Sequence, residues 1–199
     1  MPRVSAAHLA ARRDQILEAA TRCFARSGFH ATSMQDVIGE AGLSVGAVYR
    51  YFKSKEEIRR AIAEQNVGAM GNALDDVVRH EPPLPLTDAM ARALEVIEPR
   101  LDRHGFANIA LQVWAEAVRD PELNEFVTAA LGRLRGGFIT LAERARAAGH
   151  LPPDADPVAL GTALFTLMPG YAVQRVITGA PDRASMQAAV RALLTTPCA

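Results

Sequence analysis

The residues most suited to directed chemistry lie close together, between Thr32 and Arg60. Ser44, Val45, Gly46, Ala47, Tyr49, Arg50, Tyr51, Lys53 and Lys55 fall within twelve positions. On a helical wheel centred on Val48, Phe52 and Ser44 lie about 40° to either side, and Gly46 and Arg50 about 160° away. Ala47 and Tyr49 flank the latter pair at about 100°. Val48 and Phe52 should therefore face a core, with Gly46, Ala47, Tyr49 and Arg50 facing outward. An arginine there can make paired hydrogen bonds to a guanine edge, and an alanine methyl can touch a thymine methyl. Glycine lets the helix sit deep in a groove. The hydroxyls of Tyr49, Ser44 and Thr32 suit phosphate oxygens. Lys53, Lys55, Arg59 and Arg60, with Arg12 and Arg13 upstream, would neutralise a polyanionic backbone.

No other constellation in the sequence points to chemistry. His8, His30, His80, His104 and His150 are isolated, with no His-x-x-x-His or Glu-x-x-His pair. Gly39, Gly42 and Gly46 do not form a phosphate loop, and Asp154 and Asp156 lack an EF-hand pattern. Cys23 and Cys198 are too far apart in sequence for a zinc site or a disulfide framework, which fits a reducing compartment. The expectation is no catalytic residue, no metal and no cofactor.

The elements that must position the outward face read as helices throughout, because alanine is abundant and strand-like alternation scarce. A first helix from about Ala6 to Ser27 carries Ile16, Leu17, Ala20 and Phe24 on one stripe. A second starts near Thr32, with Thr32 and Gln35 as a capping box. The turn Ala41-Gly42-Leu43-Ser44 then leads into the short helix above, which is helix-turn-helix arithmetic. Ser54 caps a long helix toward His80, where Glu81-Pro82-Pro83-Leu84-Pro85 ends it. Further helices are expected from Thr87 to about His104 with a kink at Pro99, and around Phe106 to Trp114. Others should run from Pro121 to about Ala148, from Pro157 to Thr178 interrupted at Pro169-Gly170, and from Pro181 to Leu194. Gly136-Gly137 marks a bend or a close contact. These breaks divide the chain into residues 1–53, a connecting helix 54–80, and residues 81–199.

The charge balance supports two tasks. Lysine plus arginine and aspartate plus glutamate each number 22 among 199 residues, which excludes a bulk polycation. Residues 1–60 hold ten basic and six acidic side chains, while residues 61–199 hold twelve and sixteen. Hydrophobic residues make up 49%, as in a soluble globular chain, and no apolar run approaches a membrane span. The first residues lack the apolar stretch of a signal peptide, so a cytoplasmic location is expected.

In residues 81–199, Glu98, Phe106, Gln112, Trp114, Phe138, Phe165 and Tyr171 are candidates for an apolar ligand pocket with a few polar groups. Packing in an internal core is the alternative for each. A lipophilic or cationic compound would suit Trp114 with carboxylates nearby. Ala159, Leu160, Ala163, Leu164 and Leu167 form one apolar stripe, and Ala188, Ala189, Ala192 and Leu193 another. Either a dimer seam or internal packing would explain them.

Residues 16–58 carry a family resemblance. The matching pieces are Ile16-Leu17-Glu18-Ala19-Ala20, Phe24-Ala25-Arg26-Ser27-Gly28-Phe29 and Ala31-Thr32-Ser33-Met34. They continue with Val37-Ile38-Gly39-Glu40-Ala41-Gly42-Leu43-Ser44 and Gly46-Ala47-Val48-Tyr49-Arg50-Tyr51-Phe52-Lys53-Ser54-Lys55-Glu56. This run resembles the N-terminal domain of TetR/AcrR transcriptional regulators. The resemblance implies an all-α fold: a three-helix DNA-binding domain followed by a helical ligand-binding and dimerisation domain. It also implies a homodimer on a palindromic double-stranded DNA operator, released by a small-molecule effector. By the same resemblance Thr32, Ser44, Tyr49, Tyr51 and Lys55 are DNA-backbone contacts. Ala47 stands where the family often has threonine, and Val45 where lysine or arginine is common. Arg50 occupies a variable position and is the expected base reader. Two other readings remain open: a small-molecule-binding protein or enzyme with a vestigial helix-turn-helix, and an architectural DNA binder without sequence preference. The expected role is a ligand-responsive repressor, released from its operator by a small lipophilic or cationic molecule.

Overall fold

The computed structural model describes residues 6–101 and 106–195, and these are helical apart from short connections. The first three helices are α1 (Ala6–Ser27), α2 (Met34–Ala41) and α3 (Val45–Tyr51). They are followed by α4 (Lys55–Val78), α5 (Leu86–Ile97), α6 (Phe106–Ala117), α7 (Pro121–Ala147), α8 (Pro157–Thr178) and α9 (Arg183–Thr195). A single 3₁₀ turn, Glu98–Arg100, closes α5. No described helix is long and apolar enough to cross a membrane. Cys198 and His104 lie outside the described residues, as does the side chain of Phe106, the first residue of α6.

Local sequence explains most of the boundaries. Ser44, Ser54, Asp120 and Asp156 each place a side-chain oxygen on the free backbone N–H groups of the helix that follows. At α2 the cap stands one residue later than the sequence spacing suggests. Ser33 accepts from the Asp36 N–H while the Asp36 carboxylate accepts from the Ser33 N–H, and these two residues make the capping box. Those bonds hold the Asp36 carboxyl below its usual range. Pro99 does not kink a continuing helix: α5 stops at Ile97 and Pro99 sits in the 3₁₀ turn, where its missing N–H has no helical bond to lose. Pro169 does not interrupt α8, which runs unbroken across it from Pro157 to Thr178.

Two hydrophobic clusters fill the molecule. One joins Ile16, Leu17, Phe24, Val37 and Val48 of the first three helices, and Phe52 just after α3, to Ile58 and Ile62 of α4 and to Ile109 and Val113 of α6. The other joins α4 and α5 to α7, α8 and α9, with Met90, Leu94, Phe138, Leu164 and Met168 near its centre. Glycine allows the closest approach within it. A Cβ on Gly161 of α8 would lie 2.5 Å from the Ile139 Cα of α7, so the two helix backbones touch there. Gly137 meets the Leu74 side chain of α4 in the same way, which makes it a close-packing point, whereas Gly136 faces open space.

Candidate nucleic-acid interface and ligand cavity

The turn between α2 and α3 exists because Gly42 takes a left-handed conformation, φ 64°, that side-chain-bearing residues rarely adopt. Leu43 and Ser44 complete it, and the Ser44 Oγ accepts the Ala47 N–H to start α3. Val48 is fully buried and Phe52 nearly so, while Ser44, Val45, Gly46, Tyr49 and Arg50 are exposed and Ala47 is half-buried. Val45 and Tyr49 are large apolar or aromatic side chains left 49% and 37% exposed, a face presented to solvent without a partner in the chain. Tyr51 is half-buried beneath it. Lys53 is exposed, and its Nζ donates to the Tyr49 carbonyl at 2.6 Å.

Several ties fix α3 relative to the rest. Glu40 of α2 pairs with Arg22 and Arg26 of α1, which holds its carboxyl below the usual range. Gln15 of α1 donates to the Ala41 carbonyl at 2.8 Å. The Arg13 guanidinium lies over the Phe52 ring, 5.3 Å from its centroid.

Thr32 and Lys55 are turned inward. Thr32 is buried, and its hydroxyl donates to the Gly28 carbonyl at 2.8 Å and the Cys23 carbonyl at 3.3 Å. The Lys55 ammonium donates to the carbonyls of Phe29, His30 and Thr32 at 3.1, 3.2 and 3.1 Å. It also lies 4.7 Å from the Phe29 ring centroid. Together these two residues tie the loop between α1 and α2 to the start of α4.

The same loop is held from the other side by α6. The Phe29 N–H donates to Gln112 Oε1 at 3.2 Å. Glu116, one turn further on, pairs with the buried Arg59 of α4 and with His30 at 3.1 Å. Arg59 in turn stacks on Phe29, with its Cζ 4.2 Å from the ring centroid. Gln112 thus belongs to this junction and does not line the cavity described next.

A cavity of about 100 Å³ opens among α4 to α8, lined in part by Val113 and Trp114 of α6, Phe138 of α7 and Phe165 of α8. Trp114, Phe138 and Phe165 were legible in the sequence as aromatic positions. Phe126 of α7 lines it as well, as do Met70 of α4 and Val96 of α5, which no motif marked. Glu98 and Tyr171 meet each other instead. The Tyr171 hydroxyl donates to Glu98 at 2.5 Å, and Arg175 donates to the other carboxylate oxygen at 3.1 Å. Burial, then the bond to Glu98, pushes the Tyr171 hydroxyl up to about 12.

Comparison with known proteins turns this geometry into an identification. Residues 16–62 match the model of bacterial regulatory proteins of the tetR family. Residues 85–199 match the model of the BetI-type transcriptional repressor, C-terminal. The chain belongs to the TetR family. Members are helix-turn-helix, DNA-binding transcriptional regulators and not enzymes.

The HTH-type transcriptional repressor KstR2 of Mycolicibacterium smegmatis is 30% identical to this TetR-family chain over 152 residues, 74% of this chain and 71% of the relative. YfiR, an HTH-type transcriptional regulator of Bacillus subtilis, is 42% identical over 80 residues, 40% of this chain, and the match spans only 39% of YfiR. Among solved structures, a transcriptional regulator of Saccharomonospora viridis in complex with choline superposes with a TM-score of 0.76. That pair is 23% identical, covering 93% of this chain and 96% of the other, and shows the shared fold.

Proposed function

We propose that this TetR-family regulator acts as a homodimeric repressor in the cytoplasm, released from a palindromic operator when a small lipophilic or cationic molecule fills the cavity. The observation that carries this reading is the double duty of α6. Val113 and Trp114 line the cavity, while Gln112 and Glu116 of the same helix hold the loop that leads into α2. A ligand that repacks Trp114 therefore shifts the helix to which the DNA-reading end is attached. It changes operator affinity only by binding the two arrangements unequally. The long helix α4 moves with it, because Ile58 and Ile62 pack with α1 to α3 while Leu74 packs with α5 and α7.

On the operator, α3 enters the major groove. Gly46 and Ala47 allow close approach, Arg50 reads a base edge, and Val45 adds an apolar contact. Ser44, Tyr49, Tyr51 and Lys53 meet phosphates. For Thr32 and Lys55 the inward bonds favour positioning the α1–α2 loop over a direct phosphate contact. We retain residues 1–53, 54–80 and 81–199 as functional units, although the first core crosses all three.

The second copy of the chain packs on α8 and α9. Ala159, Ala163, Ala188, Ala189, Ala192 and Leu193 are exposed, Leu160 and Leu167 are half-buried, and Leu164 turns inward. Val158, Ile177 and Leu193 are 54%, 66% and 72% exposed on the same two helices. Burying such a surface against its symmetry mate removes apolar area from water. Sedimentation of the protein with and without its operator tests this: two chains per palindromic site are expected. Leu193→Glu should give monomers with operator affinity reduced by at least about tenfold. A wild-type monomer that binds DNA unchanged would overturn the dimer.

A further inference from the structure

We infer that the cavity takes an uncharged apolar molecule and rejects a quaternary ammonium ion of the same shape. This rests on the proposal that the cavity is the effector site, and it narrows that proposal to one of its two ligand classes. Among the described residues the side chains that line the cavity are aliphatic, thioether or aromatic, and none of them is charged. A cation entering there would lose its water and find no carboxylate among the described residues.

The two acidic side chains that the sequence places near Trp114 are committed elsewhere. Glu98 is held by Tyr171 and Arg175, and neither Glu98 nor these partners line the cavity. Glu116 projects from the other side of α6 to Arg59 and His30. Of the aromatic rings on the wall, Phe126 already carries the Arg60 guanidinium, 5.9 Å from its centroid. Phe138 and Phe165 face each other, with centroids 5.9 Å apart and planes inclined at 55°.

A charged cleft of about 240 Å³, walled by Glu56, Glu57, Arg59, Arg60, Asp120 and Glu122, shares only Phe126 with the cavity, whereas a smaller one of about 50 Å³ shares Met70, Ala110 and Trp114 with it. Among the described residues the charged side chain on the wall of this smaller cavity is Arg100, which repels a cation further. Together the main cavity and this smaller one come to about 150 Å³, the size of a cavity that holds benzene, and so suit a compact ligand of roughly six to seven non-hydrogen atoms.

Isosteric pairs of probes test the inference. Choline and 3,3-dimethylbutan-1-ol differ in replacing the ammonium nitrogen by carbon, as do phenyltrimethylammonium and tert-butylbenzene. Trp114 is the one tryptophan in the sequence, so its emission reports occupancy directly. The neutral member of each pair should shift that emission saturably, with an affinity at least about tenfold above its cationic partner. Ala130→Phe, which fills the cavity, should abolish the shift, with retained helicity checked by circular dichroism. Should that variant fail to fold, Val67→Phe on α4 serves the same purpose.

Equal or tighter binding of either cation overturns the inference, and so does a lack of binding by both neutral probes. A parallel gel shift on the operator separates the two levels. Neutral probes that bind without releasing DNA leave the ligand class standing and remove the effector reading. A cation that releases DNA does the reverse.

Discussion

Gln112 of α6 accepts the backbone N–H of Phe29 at 3.2 Å, across 83 residues of sequence. This bond joins a helix that lines the ligand cavity to the loop in front of the helix-turn-helix. Gln112→Leu should cost about 1 kcal/mol of stability, the typical net value of such a bond. It should also change operator affinity by roughly fivefold without altering base preference, as read by gel shift on the cognate site and its single-base variants. Unchanged operator affinity would remove α6 from the route between cavity and DNA.

Arg50→Ala should weaken the cognate operator by about 1–3 kcal/mol and relax preference at one base pair. Competition with duplexes mutated at each position measures this. Uniform weakening on every sequence would make Arg50 a phosphate contact. Lys55→Ala gives a contrasting outcome, because its ammonium is engaged by three carbonyls. Its loss should lower the melting temperature while leaving the slope of log affinity against log salt unchanged. A slope smaller by about one would show that Lys55 neutralises a phosphate.

These two residues show what could be read from the sequence. The outward set on α3 followed from helical periodicity: Gly46, Tyr49 and Arg50 are exposed and Ala47 half-buried over a buried Val48, whereas the exposure of Val45 was not part of that reading. The inward commitment of Lys55 did not follow, because its carbonyl partners lie 23 to 26 residues away and carry no side-chain signature. Gln112 was misleading for the same reason: its partner is a main-chain N–H. The cavity was legible only through its aromatics, since a valine or methionine at helical spacing looks the same in a core and in a pocket wall. The caps Ser44 and Ser54 were legible because a cap is local, while at α2 Ser33 took the place that the spacing assigns to Thr32, and the passage of α8 through Pro169 depends on its packing.

Gly161→Ala tests the crossing of α7 and α8. The added methyl would stand 2.5 Å from the Ile139 Cα, a backbone atom that cannot swing aside. Overpacking of this kind costs about 1–3 kcal/mol. In a chain of this size that corresponds to a fall of roughly 2–4 °C in melting temperature per kcal/mol. Gly136→Ala, with open space around its Cβ, should be neutral or slightly stabilising.

Alkaline pH should loosen the contact between the 3₁₀ turn and α8. The Tyr171 hydroxyl titrates at about 12 in the folded protein against 10 when free, so the unfolded chain releases its proton first. The associated stability is complete below pH 10 and is lost as pH rises toward 12. Its size is about 2–3 kcal/mol. Tyrosinate absorbance should show a late step that Tyr171→Phe removes, and that variant should lose less stability over the same pH interval.

The central claim is that the exposed face of α3 reads a specific operator. Selection of genomic fragments by the purified protein, followed by a salt titration on the best site, tests it most directly. The account predicts enrichment of a palindromic site with half-sites about 34–36 Å apart, or a multiple of that spacing, and affinity that falls steeply with salt. No enrichment over random DNA, with or without a cavity-filling neutral probe, would contradict it.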